Sequence, residues 1–228
     1  MAASPPGLLD TDRLQRVGGP LGSNPAGVYA DAEGRRWYVK TLESAAQARN
    51  EWLAAQLYRL AGAPTLTYRR CQDPRQIATE WLRLTRRSVA QLSEVERRQA
   101  QQWLGVHAWT ANWDAAGFSG DNQGVADGPV LTLDLGGALA FRAQGEPKGR
   151  AFGRCVDEID TLRSDPDNPH AQRLFGDMTA AQVGAAVEVV TRLPAEAIRR
   201  VIAEHGGSPA LAGQMVARQA DLAARRPR

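Results

Sequence analysis

Several side chains in this 228-residue chain are suited to holding phosphate and a divalent cation, and they follow one another in an informative order. Residues 18 to 27, GGPLGSNPAG, are dense in Gly, Pro, Ser and Asn and run straight into a β-prone stretch. Glycines let backbone N–H groups approach a phosphate closely, and Ser23 adds a hydroxyl donor. Lys40 ends the apolar, aromatic run Trp37-Tyr38-Val39, where its ammonium must find an anion. Glu51 lies on the next helix beside Trp52, Leu53 and Leu57, and packing that helix on the sheet brings its carboxylate to Lys40. Asn112-Trp113-Asp114 and Asp121-Asn122 share a loop after a later helix. Asp134 ends the strand Val130 to Leu133 and is followed by Leu135-Gly136-Gly137, a costly place for a carboxylate unless it faces a cation. Asn122 before one hairpin strand and Asp134 at the end of its partner converge, offering Mg²⁺ an amide oxygen and a carboxylate alongside phosphate oxygens. Asp114 is placed to receive or orient the proton of an attacking hydroxyl. Singly, each has a plain alternative: a surface loop, an edge-strand lysine, a solvated glutamate, loop-capping aspartates at 114 and 121.

The elements that must position these groups are legible in the pattern. Val28 to Ala30 and Arg36 to Lys40 flank the turn Asp31 to Gly34 as a hairpin. Apolar spacing predicts a helix from Ala45 to Leu60, stopped by Gly62 and Pro64. Thr65 to Arg70 and Gln76 to Leu82 read as short strands. Ser93 and Glu96 form a capping box opening a helix that runs toward Trp109. A Gly/Asp/Asn-rich loop spans Asn112 to Asn122, and Gln123 to Ala126 with Val130 to Asp134 form a second hairpin around Asp127-Gly128. The remainder is helical, with Pro194 and Pro209 suited to first turns and Gly206 to a C-cap. The layout is α+β and two-lobed, with residues 1–84 as a β-rich N-lobe and 85–228 as a helical C-lobe.

In this order the sequence resembles the protein-kinase-like superfamily, nearer its atypical branch of HipA-like and phosphatidylinositol-kinase-like enzymes than eukaryotic protein kinases. GSNPAGVY, RRWYVK, ARNEWLAAQLYRLAG, TANWDAAGFSGDNQGV and LTLDLGGALAFRAQG carry the resemblance. It implies a two-lobed kinase-like fold with a reduced helical C-lobe, using ATP and Mg²⁺. Gly22, Ser23 and Asn24 would cover the ATP phosphates, and Lys40 would contact them while pairing with Glu51. Thr79 to Leu82, with Glu80 and Leu82, would lie beside adenine. Asp114 would be the catalytic carboxylate, and Asn122 and Asp134 the magnesium ligands. The chain departs from the eukaryotic pattern: it has no Gly-x-Gly-x-x-Gly, no Ala-Pro-Glu, and Asn-Trp-Asp in place of His-Arg-Asp. Asp114 precedes Asn122 by eight positions rather than five, which calls for a small insertion or a role for Asp121.

Composition narrows the remaining classes. Lys plus Arg is 28 against 25 for Asp plus Glu, and the arginines fall in scattered pairs, so the surplus of +3 argues against a nucleic-acid partner. Cys71 and Cys155 stand far apart, and His107, His170 and His205 lack metal-ligand spacing, which excludes a disulfide framework or structural zinc. The N-terminus lacks signal-peptide character and no run is apolar enough to span a membrane, so a reducing cytoplasm is expected. Trp52, Trp103 and Trp109 fall in helices and read as core, as does His107; Asp165 to Asn168 reads as a turn. Arg142 and Lys148 suit an anionic acceptor or an activation segment, or a solvated loop. The expected function is Mg²⁺/ATP-dependent phosphoryl transfer to an unknown hydroxyl acceptor, protein or small molecule. The alternative is a kinase-like module that binds nucleotide or a protein partner without catalysis, and the fold also admits nucleotidyl transfer.

Overall fold

The computed structural model describes residues 7–21 and 25–225. Strands β1 (Gln15–Gly18), β2 (Ala26–Ala30), β3 (Arg36–Thr41), β4 (Tyr68–Arg70) and β5 (Gln76–Glu80) form one antiparallel sheet in the order β1-β2-β3-β5-β4. The Gly-rich stretch is therefore not all loop: β1 reaches Gly18, which pairs with Val28. At the β2–β3 turn Asp31 Oδ1 accepts the N–H groups of Glu33 and Arg35, and Gly34 takes φ 79°, the left-handed region open to glycine. Central β3 alternates by the strand period of two. Trp37 and Val39 face a small core with Cys71 and Ala78, while Tyr38 and Lys40 line a cavity on the other side.

Helix α1 (Ala45–Ala61) opens on a Ser44/Gln47 capping box and closes at Gly62, φ 77°. It packs on β4 and β5 and, from the other side, on a late helix, so the main core runs unbroken from α1 into the helical part of the chain. The helix expected from Ser93 to Trp109 is in fact two, α2 (Glu94–Gln101) and α3 (Leu104–Trp109), with the break at Gln102-Trp103. The break lets α3 pack closely on a later helix, Ala180–Thr191: a Cβ on Gly105 would lie 2.2 Å from Ala186 O. The second hairpin, β6 (Gln123–Val125) with β7 (Val130–Thr132), is shorter than its apolar run; Leu133 N–H still donates to Asn122 O, and Asp134 lies beyond.

Then come α4 (Glu158–Ser164), α5 (Pro169–Phe175), α6 (Ala180–Thr191), α7 (Ala195–Glu204) and α8 (Pro209–Ala224). Pro209 takes the first turn of α8, but Pro194 sits one position earlier than expected, at the N-cap of α7. Asp165 to Asn168 is a turn whose Asn168 caps α5. Trp109 is fully buried, and Trp52 and Trp103 pack on the core. Arg218 of α8 is also fully buried; it donates to the carbonyls of Ala108, Trp109, Gly153 and Cys155 and to Glu158 Oε2. It thereby fixes the end of α3, from which the Asp114 loop departs. Both cysteines are free, and no helix among the described residues is long and apolar enough to cross a membrane.

Candidate active site

Lys40 is the hub. It is 7% exposed, and its Nζ lies 2.5 Å from Glu51 Oε1 and 3.1 Å from Asp134 Oδ1. Burial works against its charge, but Asp134 and Glu51 outweigh it and hold the ammonium above its ordinary pKa. The α1 packing that buries Glu51 among apolar neighbours thus brings it to the strand lysine. Asp134 Oδ1 also accepts the Gly136 N–H at 2.8 Å. Burial opposes ionisation of Asp134 as well, yet Lys40 and the Gly136 N–H hold it below the usual carboxylate range.

The eight-residue gap between Asp114 and Asn122 is closed by an inserted pair of turns. Gly117 N–H donates to Asp114 O and Gly120 N–H to Gly117 O, with φ 86° and 76° at the two glycines. A Cβ on Gly117 would lie 2.8 Å from the Asn122 nitrogen, so a larger residue there would open the loop. The fold-back brings Asn122 Nδ2 to Asp114 O at 2.8 Å and to Asp114 Oδ2 at 2.9 Å. Burial pushes Asp114 up to about 6, with Asp134 adding to the shift and Asn122 opposing it. Asp121 also lines the cavity, and Phe118 stands at the tip of the insertion, 89% exposed.

Asn122 Oδ1, Asp134 Oδ2 and Asp114 Oδ1 accept no hydrogen bond among the described residues. The donor set suits Mg²⁺: hard oxygens, too few to hold the ion without a ligand's oxygens. Among the described residues no three His, Cys, Asp or Glu side chains group to hold a metal by themselves.

Lys40, Glu80, Leu82, Asp114, Asn122 and Asp134 line one cavity of about 760 Å³. Glu51 stands behind Lys40. On the wall from Thr79 to Leu82, the N–H groups of Glu80 and Trp81 are taken by Thr67 O and Arg36 O. Leu82 makes no such bond among the described residues, leaving its N–H and carbonyl for a ligand edge. Gly22, Ser23 and Asn24 lie outside the described residues.

Some supporting residues were missed in the sequence or read in another role. Asn50, buried on α1, donates to Ala138 O and accepts from Ala140 N–H; a polar residue on the apolar face next to Glu51 was the available signal. Lys148 is buried and binds three carbonyls, so neither an anionic acceptor site nor a solvated loop describes it. Arg142 is exposed and lies over the Trp113 ring.

Asn112 Nδ2 donates to the Tyr58 hydroxyl, which lies 2.8 Å from His107 Nδ1, linking α1, α3 and the Asp114 loop. With Asn112 donating, the hydroxyl proton is directed to Nδ1 of a neutral imidazole. Burial holds His107 at about 3. The folded chain therefore binds fewer protons here than the unfolded one, so this stability is complete above about pH 6.5 and lost as pH falls toward the folded value. Between pH 7 and pH 4.5 the wild type should lose about 2–3 kcal/mol more than His107→Gln in urea unfolding. Parallel losses would show that His107 is not the acid-sensitive group.

The backbone is similar to that of a Helicobacter pylori proinflammatory kinase, CtkA, with TM-score 0.59 and 11% identity over 96% of this chain and 94% of that one. A macrolide 2′-phosphotransferase, MphH from Brachybacterium faecium, aligns over 96% and 95% at TM-score 0.41 and 12% identity. An aminoglycoside phosphotransferase from Alicyclobacillus acidocaldarius aligns over 98% and 97% at TM-score 0.34 and 14% identity. No family model and no curated protein matches the chain in sequence. What the first comparison establishes is the fold: an α+β, protein-kinase-like architecture of antiparallel sheet and, among the described residues, eight α-helices.

Proposed function

We propose that the chain is a cytoplasmic, ATP- and Mg²⁺-dependent phosphotransferase acting on a hydroxyl acceptor. The observation that carries this reading is the buried Lys40, bound to both Glu51 and Asp134, in one cavity with the Asp114–Asn122 pair. In this reading residues 1–84 and 85–228 act as two lobes around the cavity. Leu82 meets the adenine edge beside Glu80, Gly22, Ser23 and Asn24 cover the phosphates, and Lys40 holds them in register. Asn122 Oδ1 and Asp134 Oδ2 hold Mg²⁺, whose charge offsets that of the phosphates.

The acceptor oxygen forms a bond to the γ-phosphorus as the bond to the β–γ bridging oxygen breaks. ADP leaves with that electron pair, and the acceptor proton passes to Asp114 Oδ1. Most of the rate gain comes from positioning and charge neutralisation. The fold's kinase likeness supports the reaction class, and the acceptor is either a protein or a small molecule.

The test is a thermal-shift titration with ATP, with and without Mg²⁺, alongside transfer of the γ-phosphate to the protein itself, to mixed peptides and to polyols. The expected result is Mg²⁺-dependent stabilisation together with transfer. Stabilisation without transfer to any acceptor would assign a binding module instead, and labelling from the α-phosphate would assign nucleotidyl transfer.

A further inference from the structure

Two backbone positions that disfavour L-residues lie close in sequence to Asp114 and Asp134. Ala111, three residues before Asp114, has φ 50°, and Leu139, five residues after Asp134, has φ 55°. Among the described residues these are the non-glycine positions in the left-handed region. Such strain persists only where the surroundings over-determine it. Both residues are fully buried, so neither carbonyl can rely on water.

One side chain meets both. Lys148 Nζ donates to Ala111 O at 2.5 Å, Gly137 O at 2.7 Å and Leu139 O at 3.0 Å. An ammonium has three donors, and each is used. The chain returns to this point through a tight loop in which Arg142 N–H donates to Glu146 O and Lys148 N–H to Ala140 O. The Trp113 ring lies 4.7 Å from Nζ and covers its remaining side. The nearby Glu158 carboxylate is engaged by Arg218 and by Trp113 Nε1, so the carbonyls and the ring face are the groups in contact with the cation. Leu139 N–H donates to Thr110 O, a second tie between the same segments.

We propose that Lys148 is a positioning residue that clamps the Asp114 loop to the segment following Asp134, holding both strained turns and so fixing the proton acceptor relative to the metal ligands. The catalytic part of this rests on the phosphotransferase reading, whereas the clamp itself does not. Lys148→Met keeps most of the volume and removes all three donors.

In the full chain, Lys148→Met should raise amide hydrogen exchange about tenfold or more in residues 110–114 and 134–140. Its kcat should fall about 30-fold while KM for ATP stays within about threefold, because the loss is one of alignment. Adding Ala111→Gly should return about fivefold or more of the lost turnover, because glycine holds the left-handed turn without the clamp. A role in packing alone gives no such rescue. Should Lys148→Met not fold, Lys148→Leu, which also removes all three donors with a smaller side chain, is read in the same way. Unchanged exchange in both segments, or turnover equal to wild type, overturns the clamp. A wild-type chain without turnover overturns the phosphotransferase reading, and the exchange comparison still decides the clamp.

Discussion

Asp134→Ala is expected to reduce transfer by about 10³-fold or more and to erase the Mg²⁺-dependent part of ATP stabilisation, because one carboxylate serves three partners. Its Oδ1 takes Lys40 and the Gly136 N–H, and its Oδ2 is left open to the cavity that Asn122 also lines. Alanine removes the carboxylate proposed to hold Mg²⁺ and leaves Lys40 balanced by Glu51 alone. The folding cost should be small, about 1 kcal/mol or less, because the Asp134 side chain is 42% accessible and its ion pair is partly screened. Asp134→Asn sharpens the test: its amide oxygen still accepts the Gly136 N–H, so the turn after it is kept while the charge is lost. Both variants should melt near the wild type without nucleotide, and both should lose the Mg²⁺ increment of the ATP-induced shift. Turnover within tenfold of the wild type in either variant would remove Asp134 from the metal site.

The residues this prediction depends on were visible in the sequence for a physical reason. Lys40 and Asp134 are charged residues at the ends of apolar strands, and burial makes such placements expensive unless a partner exists. Glu51 was visible as a carboxylate on a helix that had to pack on the sheet; the residues that share its face at helical spacing are the buried Ala54, Ala55 and Tyr58, not Leu53 and Leu57. The strand and helix starts were legible for similar local reasons, including the Ser44/Gln47 and Ser93/Glu96 caps and the turn at Gly34. Asn50 and Arg218 were not, because each acts on backbone carbonyls far away in sequence, and a carbonyl has no sequence signature. Lys148 was noticed but read as an anion binder or part of a solvated loop, since nothing in the sequence marks the carbonyls of Ala111, Gly137 and Leu139 that surround it. The break at Trp103 was hidden for the same reason. What favours it is the approach of α3 to α6 at Gly105 and Ala186, a contact between elements about eighty residues apart. The length of the Asp114 to Asn122 gap raised the choice between a small insertion and a role for Asp121; two left-handed glycines fold the extra residues back so that Asn122 reaches Asp114, and Asp121 still lines the cavity.

Asp114→Asn should separate chemistry from binding. Asn122 Nδ2 holds Asp114 through the backbone carbonyl as well as Oδ2, and an asparagine at 114 can offer its own amide oxygen to the second of these bonds. The Asn122 orientation, and with it the oxygen directed to the metal, should survive. What is lost is a carboxylate able to take a proton, a role worth about 10²–10⁴-fold in rate. The expected result is a kcat lower by that factor, KM for ATP within about twofold, and an undiminished Mg²⁺-dependent thermal shift. This pattern differs from that of Asp134→Ala, which loses binding and transfer together. It also separates the two functional readings. In a module that only binds nucleotide, Asp114→Asn changes nothing measurable, whereas in a phosphotransferase it leaves a protein that still recognises ATP and transfers slowly. An Asp114→Asn variant with kcat within tenfold of the wild type would place the proton acceptor elsewhere, with Asp121, the other carboxylate of the same loop facing the cavity, as the next residue to replace.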